Sequence, residues 1–240
     1  MKSVLSLVKK ELQSSFNSPM AYGVLAAFLV FTSVMFLIGN QFIASNSASM
    51  RGYFGLFPLV FIVLIPAMTM RSWAEEKKMG AMELFLTLPL RPSEMVIGKY
   101  LGTLALLTLL FILTLPMTFM VMTLGSFEPG EIIGQYLGLY LLGASSLALG
   151  LFMSALSSNQ ISAFLLGLGV MVFFTLSGTL AASVELPKIL KDILQFLSFV
   201  PRFSSFERGI LDTRDFLYFG IFTTLFLYLN TKVLIFRKWR

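Results

Sequence analysis

Apolar residues run through this chain in long blocks, and the polar positions collect between them. Stretches near the length of about 20 residues that crosses a hydrocarbon core recur at 20–39, 53–70, 100–124, 132–156, 161–182 and 216–236. Residues 132–184 carry no charged side chain and would measure roughly 80 Å as one helix, so they predict two spans with a turn at Ser157-Ser-Asn-Gln160. The block at 53–70 is short and holds Pro58 and Pro66, which predicts a kinked helix.

Three polar intervals keep a helical repeat of their own. Before the first block, Val4, Leu5, Val8, Leu12 and Phe16 recur opposite Lys9, Lys10 and Gln13, the pattern of a helix lying in the headgroup plane and ended by Pro19. Between the second and third blocks, at 100° per residue, Glu76, Gly80, Glu83 and Thr87 form a narrow stripe. Met79, Met82, Phe85 and Leu86 make a broad apolar face, and Pro89 and Pro92 stop the helix. Before the last block, Leu186, Ile189, Leu190, Ile193, Leu194, Leu197 and Val200 predict a short amphipathic helix with Pro187 in its first turn. It either rests on the membrane surface or dips back into the protein, and residues 201–209 turn the chain toward a second short piece.

Composition agrees with the pattern and narrows the chemistry. The 240 residues are 57% hydrophobic and 12% charged, with a mean hydropathy of +0.85, which excludes a soluble domain. Cysteine and histidine are absent, so disulfides, thiolate or imidazole metal sites and nucleophile pairs built on His are excluded. The 14 methionines are scattered and read as packing. The net charge of +6 comes from cations flanking the apolar blocks, which points to lipid and topology and away from nucleic acid.

Lysines and arginines gather before the first block, between the second and third, and after the sixth, which predicts a cytoplasmic location for those segments and for both termini. The segment 185–215, with five cations and five acids, is expected outside as a folded element poorly constrained by that rule. A cleaved signal peptide ending near Ala44–Ala48 fits less well, because the first apolar block is long and follows an amphipathic helix.

The pattern Glu76-x-x-x-Gly80-x-x-Glu83-x-x-x-Thr87-x-Pro89, together with six spans, resembles the permeases of type-2 ABC exporters along nearly the whole chain. Residues 65–78 and 203–215 are similar to the permease of gliding-motility-type ABC systems. Ala81 and Phe85 depart from the commoner family residues and leave the Glu-Gly-Glu stripe intact. The resemblance implies an all-α integral membrane protein, one domain over 1–240. It comprises an interfacial helix at 1–19, a cytoplasmic coupling segment at 72–92 and an external helical insert at 185–215.

No G-x-x-x-x-G-K-[ST] run is present to cradle phosphates. The resemblance therefore implies a transport subunit without catalytic residues or bound cofactors or metals, with ATP and Mg held by a separate cytosolic ABC ATPase. It makes Glu75, Glu76, Lys77, Gly80, Met82, Glu83, Thr87 and Pro89 the candidate contact with that ATPase. It also implies a second permease copy, in a homo- or heterodimer, a companion membrane protein with a large external domain, and a bacterial inner-membrane location.

The spans carry no charged residue at their centres, which argues against an ion-coupled carrier and for an amphipathic or envelope-related substrate. Ser145, Ser146, Thr175, Ser177 and Thr179 are candidates for lining a path, or for hydrogen bonding between helices. A different class remains open: a mechanotransmitting or assembly component that uses the ATPase to act on an envelope protein without moving a substrate.

Overall fold

A computed structural model describes residues 2–17, 19–39, 49–80, 91–125, 128–185 and 187–238, which form helices joined by turns and short irregular links, with no strand among them. The helices are α1 (Lys2–Phe16), α2 (Pro19–Val34, continuing as a π-helix over Met35–Gly39), α3 (Arg51–Phe54), α4 (Phe57–Thr69) and α5 (Ala74–Lys78). They are followed by α6 (Pro92–Met122), α7 (Pro129–Leu156), α8 (Gln160–Ser183), α9 (Lys188–Leu197), α10 (Phe199–Glu207) and α11 (Thr213–Lys238). Among the described residues, five segments are long and apolar enough to cross a membrane: Arg51–Lys78, Pro92–Met122, Pro129–Leu156, Gln160–Ser183 and Thr213–Phe236. A sixth apolar helix, Tyr22–Ile38, is shorter.

Local chemistry sets the ends. Pro92 and Pro129 sit in the first turns of α6 and α7, where a missing amide costs nothing, and the Arg91 amide donates to the Glu94 carboxylate at 3.2 Å. The turn expected at 157–160 is present: Ser157 leaves the helix in extended conformation, and Asn159 Oδ1 accepts the Ser162 amide at 2.8 Å to start α8. α6 begins eight residues before the expected span at Tyr100. At 31 residues it is roughly 46 Å long against a core of about 30 Å, so part of it stands clear of the hydrocarbon.

α7 is the centre of the bundle. Its glycines admit neighbours that a methyl group would exclude: Gly143 meets Leu107 and Phe61, Gly150 meets Thr69, and Gly134 and Gly138 meet the chain at Gly209 and Phe206. On α8, Gly167 faces Pro66, whereas Gly169 has open space. Aromatic edges fill the rest: Phe54, Phe57 and Phe61 with Tyr53 at one side, and Phe199, Phe206, Phe219 and Phe222 at the other.

The helix that the apolar repeat carries through Val200 ends at Leu197, and a second helix occupies Phe199–Glu207, where a turn over 201–209 is expected. The break is at Ser198, which is extended (ψ 139°) and whose hydroxyl donates to the Thr175 carbonyl at 3.3 Å. Pro201, expected to turn the chain, lies in the first turn of α10, a position that tolerates it. The two helices divide the alternatives left open by the sequence. α9 buries none of its residues and leaves Ile189, Leu190, Ile193 and Phe196 exposed, while α10 returns into the bundle on fully buried Phe199, Phe203 and Phe206.

Candidate functional site

The chain leaves α4 through Met70–Trp73 and enters α5 at the end of the bundle where α7 stops and α1 lies. Ser154 of α7 organises this exit. Its hydroxyl accepts the Trp73 and Ala74 amides at 3.1 and 3.3 Å, two of the donors a helix start leaves unpaired. Lys77 answers from the other side. Its ammonium donates to the Ala155 carbonyl and, at 2.8 Å, to that of Ser157, placing a cation at the negative end of the α7 dipole. The α4–α5 junction and the foot of α7 are thus stapled twice.

A second cluster lies beside this staple. Lys99, only 5% exposed, rises from the foot of α6, and its Nζ donates to Glu11 Oε1 at 2.6 Å, Glu76 Oε1 at 2.9 Å and the Ser72 carbonyl at 2.7 Å. The ammonium also sits 4.8 Å over the buried Trp73 ring. Lys10 reaches Glu76 Oε1 from 3.5 Å, so two cations and two carboxylates balance. Three ammonium protons meet three acceptors, the condition under which a buried charge is tolerated. Glu76 Oε2 is buried and has no hydrogen-bond partner.

α1 is brought to the cluster by the small residues flanking Lys99. A Cβ on Gly98 would lie 2.8 Å from Leu7 Cβ, and one on Gly102 would lie 2.6 Å from Glu11 Cβ. The contact face of α1 therefore includes Leu7, Val8 and Glu11, rotated from the apolar repeat read in the sequence. Leu5 stays 74% exposed and Phe16 remains on the surface.

The coupling stripe expected from helical spacing is corrected here. α5 ends at Lys78, and Gly80 takes the left-handed conformation (φ 69°) with its amide donating to the Lys77 carbonyl at 3.1 Å. This is the stop that glycine provides after a helix, because a side chain there is strained. Gly80 therefore does not continue the helical stripe from Glu76. Glu76 itself points inward, its side chain 12% exposed against Lys99, and Lys77 spends its ammonium on α7. Glu75 is the more outward residue, at 4.0 Å from Arg71 with both side chains partly exposed. Met82, Glu83, Thr87 and Pro89 lie outside the described residues.

The five hydroxyl candidates do not converge on one opening. Ser145 Oγ joins α7 to α11, donating to the Phe219 carbonyl at 3.1 Å and lying 3.0 Å from Thr223 Oγ1; Ser146 Oγ is buried without a partner. Thr175 is buried and meets the Ser198 break through its carbonyl, and Ser177 Oγ donates to the Leu194 carbonyl of α9 at 3.3 Å. Thr179 bonds within its own helix at the surface. A groove of about 500 Å³ between α6 and α7 includes Leu115, Thr118, Phe119, Ile132, Ile133 and Tyr136 in its lining, and none of the five.

At the opposite end of α7, Arg51 Nε donates to Glu131 Oε1 at 2.8 Å. Gln135, fully buried, donates to the same oxygen at 3.1 Å and to the Glu207 carbonyl at 2.9 Å. Burial raises the Glu207 carboxyl above its ordinary value, with Arg51 and Arg208 pulling the other way. This network ties α3, α7 and α10.

Sequence reasoning used Lys99 only as a topology cation and did not single out Glu11, Ser72, Trp73 or Ser154. The available signal was Gly98-Lys-Tyr-Leu-Gly102, a small-x-x-x-small face carrying a lysine between its glycines. The family model described as ABC-2 family transporter protein matches residues 7–232. No curated protein matches the chain.

Proposed function

The chain belongs to the ABC-2 family of transporter proteins, a multi-pass membrane family of permease components, and on that premise we propose that it is the permease subunit of an ATP-driven exporter worked by a separate cytosolic ATPase. In this reading one domain spans the bacterial inner membrane six times, with Tyr22–Ile38 as the first and shortest crossing and both termini in the cytosol. The segment 72–92 faces the ATPase, 185–215 forms the external insert, and ATP and Mg belong to the partner. A second permease copy completes the path. Residues 65–78 and 203–215 favour the gliding-motility-type systems and their companion membrane protein, with an amphipathic or envelope-related substrate.

The observation that carries the reading is the stapled exit from α4. Ser154 and Lys77 hold Trp73–Lys77 against the foot of α7, so a load applied beyond Gly80 would be delivered to a buried helix instead of dissipating in a loop. Glu75, Glu76, Lys77, Gly80, Met82, Glu83, Thr87 and Pro89 keep their assignment to the coupling region, with Glu76 and Lys77 acting as its internal anchors.

The test is reconstitution. The purified chain alone is expected to hydrolyse no ATP, and its cognate ATPase, co-purified with it, is expected to hydrolyse at a rate that changes when the permease is present. Hydrolysis by this chain alone, free of contaminants, overturns the reading. Topology is checked separately in the native cysteine-free background. Lys78→Cys is expected to resist impermeant thiol reagents in intact cells and Lys188→Cys to react, both positions being exposed. Labelling at 78 overturns the inside placement of the coupling region.

A further inference from the structure

We propose that Lys99 is a positioning residue of the coupling apparatus: its single ammonium binds the N-terminal helix and the α4–α5 junction into one body seated on the foot of α6. The proposal rests on the ATP-driven reading above and adds to it a second moving part, α1, together with the residue that joins it.

The geometry is that of a joint. Glu11 comes from α1, Glu76 from α5 and the Ser72 carbonyl from the turn between α4 and α5. All three converge on one nitrogen within 2.6 to 2.9 Å. Lys10 adds a direct contact between α1 and Glu76 at 3.5 Å. The residues joined are 88 and 23 positions from Lys99 in sequence, so nothing in local chain connectivity holds them together.

The apolar contact of α1 is with α6, through Leu7 on Gly98 and Glu11 Cβ on Gly102. Its contact with the α4–α5 junction runs through these charges. Hydrophobic packing would tolerate sliding of α1 along α6. Three charge-assisted hydrogen bonds at one buried nitrogen fix register as well as proximity, which is the best-attested use of a buried ionic group. A displacement of Glu76 by the ATPase therefore carries Glu11, and with it α1, in step.

The experiment uses the full chain in nanodiscs with its cognate ATPase, spin-labelled at Lys9→Cys and Met79→Cys, both exposed, in the cysteine-free sequence. The decisive variant is the charge-free triple Glu11→Gln, Glu76→Gln, Lys99→Met. It removes the three least exposed members of the ion group together, and the charge it leaves, on Lys10, is half-exposed and stays solvated. In the native sequence the label distance is expected to be narrow and equal with and without ATP. In the triple variant it is expected to broaden or shift on adding ATP. ATPase capture is retained there, while the permease's effect on hydrolysis falls about tenfold, within the usual range of coupling between sites.

Lys99→Arg in the otherwise native chain, where Glu11 and Glu76 both remain, is expected to keep the narrow distance. A triple variant that keeps the native distance in both conditions overturns the proposal, as does a loosened distance with undiminished effect on hydrolysis. If the native chain captures no ATPase, the transport reading falls instead. The label distance in the chain alone then decides the joint: broadening in the triple variant supports it, and an unchanged distance overturns it.

Discussion

Gly138→Leu is expected to expel α10 from the bundle and to be the most damaging single substitution in the half of the protein that carries the insert. A Cβ at Gly138 would lie 2.5 Å from Phe206 Cγ, and it also overlaps Phe206 Cβ. A terminal methyl can rotate away from such a clash, but a Cβ cannot move without its backbone, so the whole of α10 must shift. With it go Phe199, Phe203 and Phe206, all fully buried, and the Gln135 bond to the Glu207 carbonyl. Losing the burial of even one of these rings costs about 3–5 kcal/mol.

The measurement is the thermal midpoint of the detergent-extracted chain together with protease sensitivity of residues 187–212. Gly169→Leu serves as control, since nothing lies within 4 Å of a Cβ there. Equal midpoints and equal protease resistance for the two variants would mean that α10 is not seated on α7.

Glu76→Lys is the second large effect, and its direction reverses a natural expectation. On the sequence alone, Glu76 lies on a surface stripe, and reversing its charge should weaken ATPase binding while folding survives. In the structure the new ammonium would enter a site where the Lys99 and Glu76 side chains are 6% and 12% exposed, with Lys10 beside them. One carboxylate, Glu11, would then face three cations, and breaking a buried pair in this way costs about 3–5 kcal/mol. The chain itself is expected to lose stability, read as lower yield and a lower thermal midpoint without any ATPase present.

Glu75→Lys is the contrast. Its side chain is 44% exposed and 4.0 Å from Arg71, so its effect on the chain is expected to stay within about 1 kcal/mol. A Glu76→Lys chain as stable as Glu75→Lys would refute the Lys99 cluster. The pair also separates two causes of lost ATPase binding: at position 75 it reports a contact, and at position 76 it reports the collapse of the platform behind the contact.

The elements legible in the sequence were those governed by periodicity and end chemistry. The helices of α7 and α8, the turn at 157–160, the helix of α1 and the amphipathic stretch before the last span all follow from where apolar residues recur and where proline and asparagine sit. What escaped was long-range. Gly80 occupies a helical phase in the sequence and a left-handed terminus in the structure, and spacing cannot distinguish a glycine that continues a stripe from one that ends a helix. Glu11 was not singled out because its partner, Lys99, lies 88 positions away. Pro201 read as a turn because a proline's effect depends on whether it falls before a helix or within its first turn, and Ser198 alone does not announce a break.

α7 meets the α4–α5 junction at its Leu156 end, through Ser154 and the carbonyls held by Lys77, and it meets α10 at its Pro129 end, through Gly134 and Gly138. Between those ends are 28 residues of uninterrupted helix with no proline beyond the first turn, roughly 42 Å of a stiff rod. A rod joined at both ends transmits a stroke without amplifying or shortening it. On the reading proposed above, a push received at the Lys77 staple would arrive at the Phe206 seat with the same length and direction. The two faces of the membrane would then be linked as the ends of a piston are linked, and the timing of one would be the timing of the other.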